Sequence, residues 1–161
     1  MDKQIFCGSK PSTNIIRVIS NRKCFPKPFG GLWTSTYDPQ RISAWVDWCK
    51  NNFRESAAPD FKRWMLTVKD EANIFHLDSI TDFNVLRKDG FIFVNPLKAA
   101  QIDYELLSTK YDGIHITERA LQTDWTSYDC GGHFSLSVWD VESTCWFRWV
   151  FTEVEECVPT R

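Results

Sequence analysis

The chain has 161 residues, close to one folding unit of about 150, and carries a net charge of −2 from 19 Lys and Arg against 21 Asp and Glu. That balance, with no long basic run, excludes sequence-independent coating of nucleic acid, and 43% hydrophobic with 25% charged residues excludes an intrinsically disordered chain. Eight Trp, four Tyr and twelve Phe make 15% of the chain aromatic, enough to fill a core and leave rings for a flat ligand.

Ile5-Phe6-Cys7 is a short apolar run closed by Gly8-Ser9 and predicts a first strand ending in a turn. Ser12-Thr13-Asn14 supplies helix caps before Ile15, Ile16, Val18 and Ile19, whose spacing predicts a short helix ending near Asn21. Pro26, Pro28, Gly30 and Gly31 predict an irregular loop that delivers a strand over Leu32-Trp33-Thr34-Ser35-Thr36-Tyr37. Asp38-Pro39 breaks that strand, and a helix starts at Ser43 with Trp45, Trp48 and Cys49 on one face. Phe61 to Val68 and Ile74 to Leu77 read as a hairpin turning at Lys69-Asp70-Glu71-Ala72. Ser79 to Leu86 reads as helix, Phe91 to Asn95 as a strand closed by Pro96, Asp103 to Lys110 as helix, and Ile114-His115-Ile116 as the start of a strand. After a loop from Thr123 to Gly132, Phe134 to Val141 and Ser143 to Phe151 read as strands. Short strands mixed with short helices imply a single α+β domain over residues 1–161.

No apolar stretch approaches the roughly 20 residues that cross a bilayer, and MDKQIFCGSKPSTN contains none of signal-peptide length, so the expectation is a cytoplasmic protein without a membrane segment. The six Cys, at 7, 24, 49, 130, 145 and 157, include no CxxC pair and are expected to be buried thiols. His76, His115 and His133 lie far apart with no Cys or carboxylate at ligand spacing, so no metal is expected. The six Trp at 45, 48, 64, 139, 146 and 149 are expected in the core.

Three separated segments each combine a strand with small, hydroxyl or acidic residues: Cys7-Gly8-Ser9, then Trp33-Thr34-Ser35-Thr36, then Asp140-Val141-Glu142-Ser143. Gly8 lets a backbone approach a ligand closely. Glu142 sits in an otherwise apolar stretch, where a carboxylate is costly unless hydrogen-bonded, and the hydroxyls of Thr34 or Ser35 are able to satisfy it. Asp140 shares its parity and competes for the role.

The order of these features resembles the ADP-ribosyltransferase family. A first strand ending in Gly-Ser, a Gly-rich turn before a strand with a hydroxyl position, a helix opening on the small Ala44, and a late strand carrying Glu match it over nearly the whole chain. The resemblance implies a split, strongly twisted β-sheet core with short flanking helices, and NAD as a substrate whose ADP-ribose passes to a protein or nucleic-acid acceptor. It also implies Glu142 as the catalytic carboxylate, oriented by Ser35. Backbone groups around Gly8 would hold the carboxamide, with Cys7, Ser9, Trp33, Thr34 and Thr36 contacting NAD, and Trp33 or Tyr37 stacking on a ring. The family carries His or Arg where this chain has Cys7, so Lys10, Arg17 or Arg22 is expected to supply that contact, or the protein is a catalytically silent binder of a macromolecular partner. A third reading pairs Asp112 with Glu118 around magnesium for phosphodiester hydrolysis.

Overall fold

Ile5, Phe6, Val18, Ile19, Phe29, Trp33 and Thr34 are β-branched or aromatic, and the segments that carry them form strands. The computed structural model of the protein describes residues 3–23, 25–52, 62–125 and 131–157. Strand β1 (Lys3–Cys7) is followed by β2 (Arg17–Arg22) and the long β3 (Phe25–Thr36). Helix α1 (Ala44–Asn52) leads to β4 (Arg63–Val68), β5 (Ile74–Leu77), α2 (Ile80–Lys88), β6 (Ile92–Val94) and β7 (Ala99–Ile102). Then come α3 (Tyr104–Lys110), β8 (Gly113–Ile116), α4 (Glu118–Gln122), β9 (His133–Phe134), β10 (Ser143–Trp146) and β11 (Phe151–Glu156). The protein is therefore mixed α and β, as the sequence implies.

Among the described residues the main sheet runs β11-β4-β1-β3-β10-β8-β5, with β2 paired to the outer half of β3, and a smaller sheet runs β6-β7-β9. Only β5 and β8 pair in parallel within the main sheet's path, the remaining neighbours being antiparallel. Alternation along the strands divides the apolar residues between the two faces. Cys145, Ile114 and Leu77 turn toward Phe83, Leu86, Leu107 and Trp139, while Leu32, Leu66 and Trp146 turn toward Trp64, Val150 and Phe151.

Four sequence expectations are corrected. The helix expected after Ser12 is a single 3-10 turn, Thr13–Ile15, followed by β2; the β-branched Val18 and Ile19 favour pairing with β3 over a helix. The irregular loop from Pro26 to Gly31 is the outer half of β3, with Arg17↔Gly31, Ser20↔Phe29 and Arg22↔Phe25 in a register broken by bulges. β4 and β5 both exist but form no hairpin, because β1 and β11 occupy the two edges of β4 and β5 joins β8. Phe61, the expected start of β4, lies outside the described residues. Finally, Phe134 to Val141 is no strand: β9 stops at Phe134, a 3-10 turn spans Ser137–Trp139, and Asp140 takes a left-handed φ of 58°. The sequence reading also missed β7 and α4.

Candidate active site

β1 and β3 pair at Gln4↔Thr36 and Ile5↔Ser35, and then the sheet splits. Beyond that point β1 follows β4 as far as Cys7↔Arg63, whereas β3 follows β10 through Trp33↔Cys145. A cavity of about 310 Å³ opens in the split. Phe6 and Cys7 line one side and Trp33 and Thr34 the other, while Trp45, Ser143 and Lys27 complete the wall.

Glu142 stands at this point of the sheet, immediately before β10. Its carboxylate is only 12% exposed and accepts four contacts from two consecutive residues of β3. Ser35 Oγ donates to Oε2 at 2.8 Å, Thr36 Oγ1 donates to Oε1 at 2.7 Å, and the Thr36 N–H is shared between both oxygens at 3.2 Å. Tyr37 N–H bonds back to Lys3 O on β1, so the neighbouring Thr36 N–H faces the β10 side, where the carboxylate takes the place of a backbone acceptor. Ser35 Oγ also accepts from Trp45 N–H at 3.3 Å, tying the first turn of α1 to the acid.

A second layer of polar side chains surrounds this group. Gln4 Nε2 donates to Thr36 Oγ1 at 3.3 Å, Thr34 Oγ1 donates to Gln4 Oε1 at 2.6 Å, and Trp146 Nε1 donates to Thr34 Oγ1 at 2.7 Å. His115 Nδ1 lies 2.9 Å from Thr144 Oγ1 and 3.4 Å from Glu142 Oε1. Burial, with the adjacent His76 ring, pushes the His115 pKa down to about 4, so at neutral pH this contact joins a neutral imidazole to a carboxylate rather than two ions.

The sequence-derived residues fall into three groups. Ser35, Thr36 and Glu142 meet directly, and Cys7, Trp33 and Thr34 line the cleft beside them. Gly8 does not offer free backbone groups: its N–H donates to Lys62 O at 2.9 Å and its carbonyl accepts from Trp64 Nε1 at 3.0 Å. The expectation that Gly8 holds a carboxamide therefore meets a residue already engaged by β4 and the segment before it. Ser9 is exposed past the strand end, and Tyr37 is exposed at the end of β3. Asp140 is turned out of the strand, 42% exposed and 4.0 Å from Lys27, so it shares no parity with Glu142.

Asp112 and Glu118 lie at opposite ends of β8, in separate ion pairs with Arg148 at 3.3 Å and Arg41 at 3.6 Å, and are not brought together. Burial raises the Cys7 thiol to about 12, which leaves it protonated rather than nucleophilic. Trp45, expected in the core, lines the cleft and stacks on Trp48 with centroids 5.0 Å apart. The sequence reading gave no role at this site to Gln4 or His115, placed Lys27 only in a basic patch with Lys10, Arg17, Arg22 and Lys23, and placed Trp146 in the core, where it is buried. A legible signal existed for His115, a polar residue between Ile114 and Ile116 on a strand that is buried throughout.

No helix among the described residues is long and apolar enough to cross a membrane. No protein-family model matches the chain, and no curated protein or solved structure matches it at a significant level.

Proposed function

We propose that this protein is an NAD-dependent ADP-ribosyltransferase, built on an ADP-ribosyltransferase-like split sheet, with Glu142 as its catalytic carboxylate. The observation that carries this reading is the fixed Ser35–Glu142 pair at the split between β1 and β3, 2.8 Å from oxygen to oxygen. Breaking the nicotinamide–ribose bond leaves positive charge on the ribose, and a pre-oriented carboxylate in a partly dry site stabilises that charge without reorganising. Ser35 and Thr36 hold the acid; Trp33 and Trp45 supply flat apolar walls for the nicotinamide ring.

Glu142 lines a third cavity, of about 460 Å³, under α1, whereas its neighbour Ser143 lines the cleft. On this reading a macromolecular acceptor approaches along that third cavity, and the donor occupies the cleft that Ser143 lines.

A second reading, a silent binder of the same fold, is favoured by one observation: Cys7 brings no imidazole or guanidinium to the first strand, and both backbone groups of Gly8 are engaged within the chain. Following nicotinamide release from NAD by the protein and by Glu142→Gln separates the two. Release that drops at least about a hundredfold in the variant supports the transferase. Binding of NAD with no release favours the silent binder, and equal release by both proteins removes Glu142 from the chemistry.

A further inference from the structure

The cleft at the split is not isolated. It shares Phe6, Lys27 and Trp33 with a second cavity of about 450 Å³ on the ribbon formed by β2 and β3. Arg17, Arg22 and Lys27 line this second cavity, and no carboxylate does. Among the described residues neither Arg17 nor Arg22 takes part in an ion pair; the Arg22 guanidinium rests against Phe25 and Phe29, with centroid distances of 5.3 and 5.7 Å. Lys27 Nζ sits 4.5 Å over the Trp33 ring, donates to the Val138 carbonyl at 3.3 Å and lies 4.0 Å from the half-exposed Asp140 carboxylate. Of the three cations only Lys27 has a carboxylate neighbour among the described residues, so an anion entering this concavity relieves the repulsion among them.

The first cleft, at about 310 Å³, lies at the lower end of the roughly 300–1,000 Å³ range of ligand pockets, room for the nicotinamide riboside half of NAD and not for the whole dinucleotide. We propose that the second cavity is the subsite for the other half: Arg17, Arg22 and Lys27 take the diphosphate, and the half-exposed Phe29 ring forms a wall for the adenine. This proposal rests on the reading of the adjoining cleft as the donor site. It also accounts for Cys7, because the positive charge absent from the end of β1 is supplied from the β2–β3 ribbon. Guanidinium groups suit the role, since their planar fork meets phosphate oxygens in pairs.

The test is calorimetric titration of the full chain, Arg17→Gln and Arg22→Gln with three probes: ADP-ribose, ADP and nicotinamide riboside. Each Arg variant is expected to bind ADP-ribose and ADP about tenfold or more weakly, and nicotinamide riboside within about twofold of the parent. An unchanged melting temperature certifies the fold of each variant, and Arg22→Lys, which keeps the charge, is expected to recover part of the loss. Unchanged ADP-ribose affinity in both Gln variants overturns the subsite. So does a parent chain that ignores ADP-ribose and ADP while binding a single-stranded oligonucleotide or anionic phospholipid vesicles. The two proposals fail separately. ADP-ribose binding lost in the Arg variants, without any nicotinamide release from NAD, keeps the subsite and removes the transferase. Glu142-dependent release with intact ADP-ribose binding in both Gln variants does the reverse.

Discussion

Trp146 Nε1 and Thr34 Oγ1, 112 positions apart in the chain, are hydrogen-bonded at 2.7 Å in the fully buried centre of the sheet. The same hydroxyl donates to Gln4 Oε1, so one small side chain satisfies two buried groups from two other strands. Thr34→Val keeps the shape and strands both partners. The expected loss is about 2–4 kcal/mol, read from the urea midpoint, with Thr34→Ser recovering most of it.

Ser35→Ala removes a donor from Glu142 and the acceptor of Trp45 N–H together. A stability loss of about 1–3 kcal/mol is expected, accompanied by faster hydrogen exchange at the Trp45 amide than at amides elsewhere in α1. Unchanged exchange at Trp45 would show that the bond contributes nothing to seating the helix.

The pKa of His115, about 4 against an ordinary value of 6.5, fixes the sign of one pH effect. Between those values the unfolded chain takes up a proton that the folded chain refuses, so stability falls as pH drops from 6.5 toward 4, and the slope from this group fades as pH rises past 6.5. Burial moves His76 in the same direction. His115→Gln is expected to flatten the pH dependence of the urea midpoint between pH 6.5 and 4, leaving the part due to His76.

Two glycines with similar backbone angles make a paired test. At Gly30, φ +89°, an added Cβ falls 2.2 Å from the Val18 carbonyl oxygen; at Gly90, φ +80°, it meets nothing within 4 Å. Gly90→Ala is expected to cost about 1 kcal/mol, the left-handed backbone alone, and Gly30→Ala about 3 kcal/mol or more, because the β2–β3 ribbon must move. Thermal unfolding of both variants gives the comparison.

With its thiol held up to about 12 by burial, Cys7 is expected to react with iodoacetamide at pH 8 on the order of a thousandfold more slowly than an unfolded control, as followed by peptide mass spectrometry. Rapid labelling of Cys7 in the folded protein would contradict the upward shift of its thiol.

The acid and its hydroxyl partner were readable because a lone Glu among apolar residues demands donors and the Thr34-Ser35-Thr36 run offered them. The loss of the helix expected at Ile15 to Ile19 has a physical cause: the i, i+3, i+4 spacing of aliphatic residues is also met by a bulged strand, and only the partner strand decides. Lys27 was legible only as one charge of a basic patch, between two prolines that read as a loop; its setting depends on Asp140, more than a hundred residues away. Gly8 shows the converse limit, since the Trp64 side chain that occupies its carbonyl belongs to β4, more than fifty residues away.

Because the Glu142 side chain takes the Thr36 amide, the acid serves as the terminal rung between β3 and β10. Slipping those strands by one residue would move Glu142 off that amide and reverse every inward-facing group beyond it. Correct seating of the carboxylate is thus a by-product of zipping the sheet, and a misaligned chain leaves Glu142 without its β3 donors.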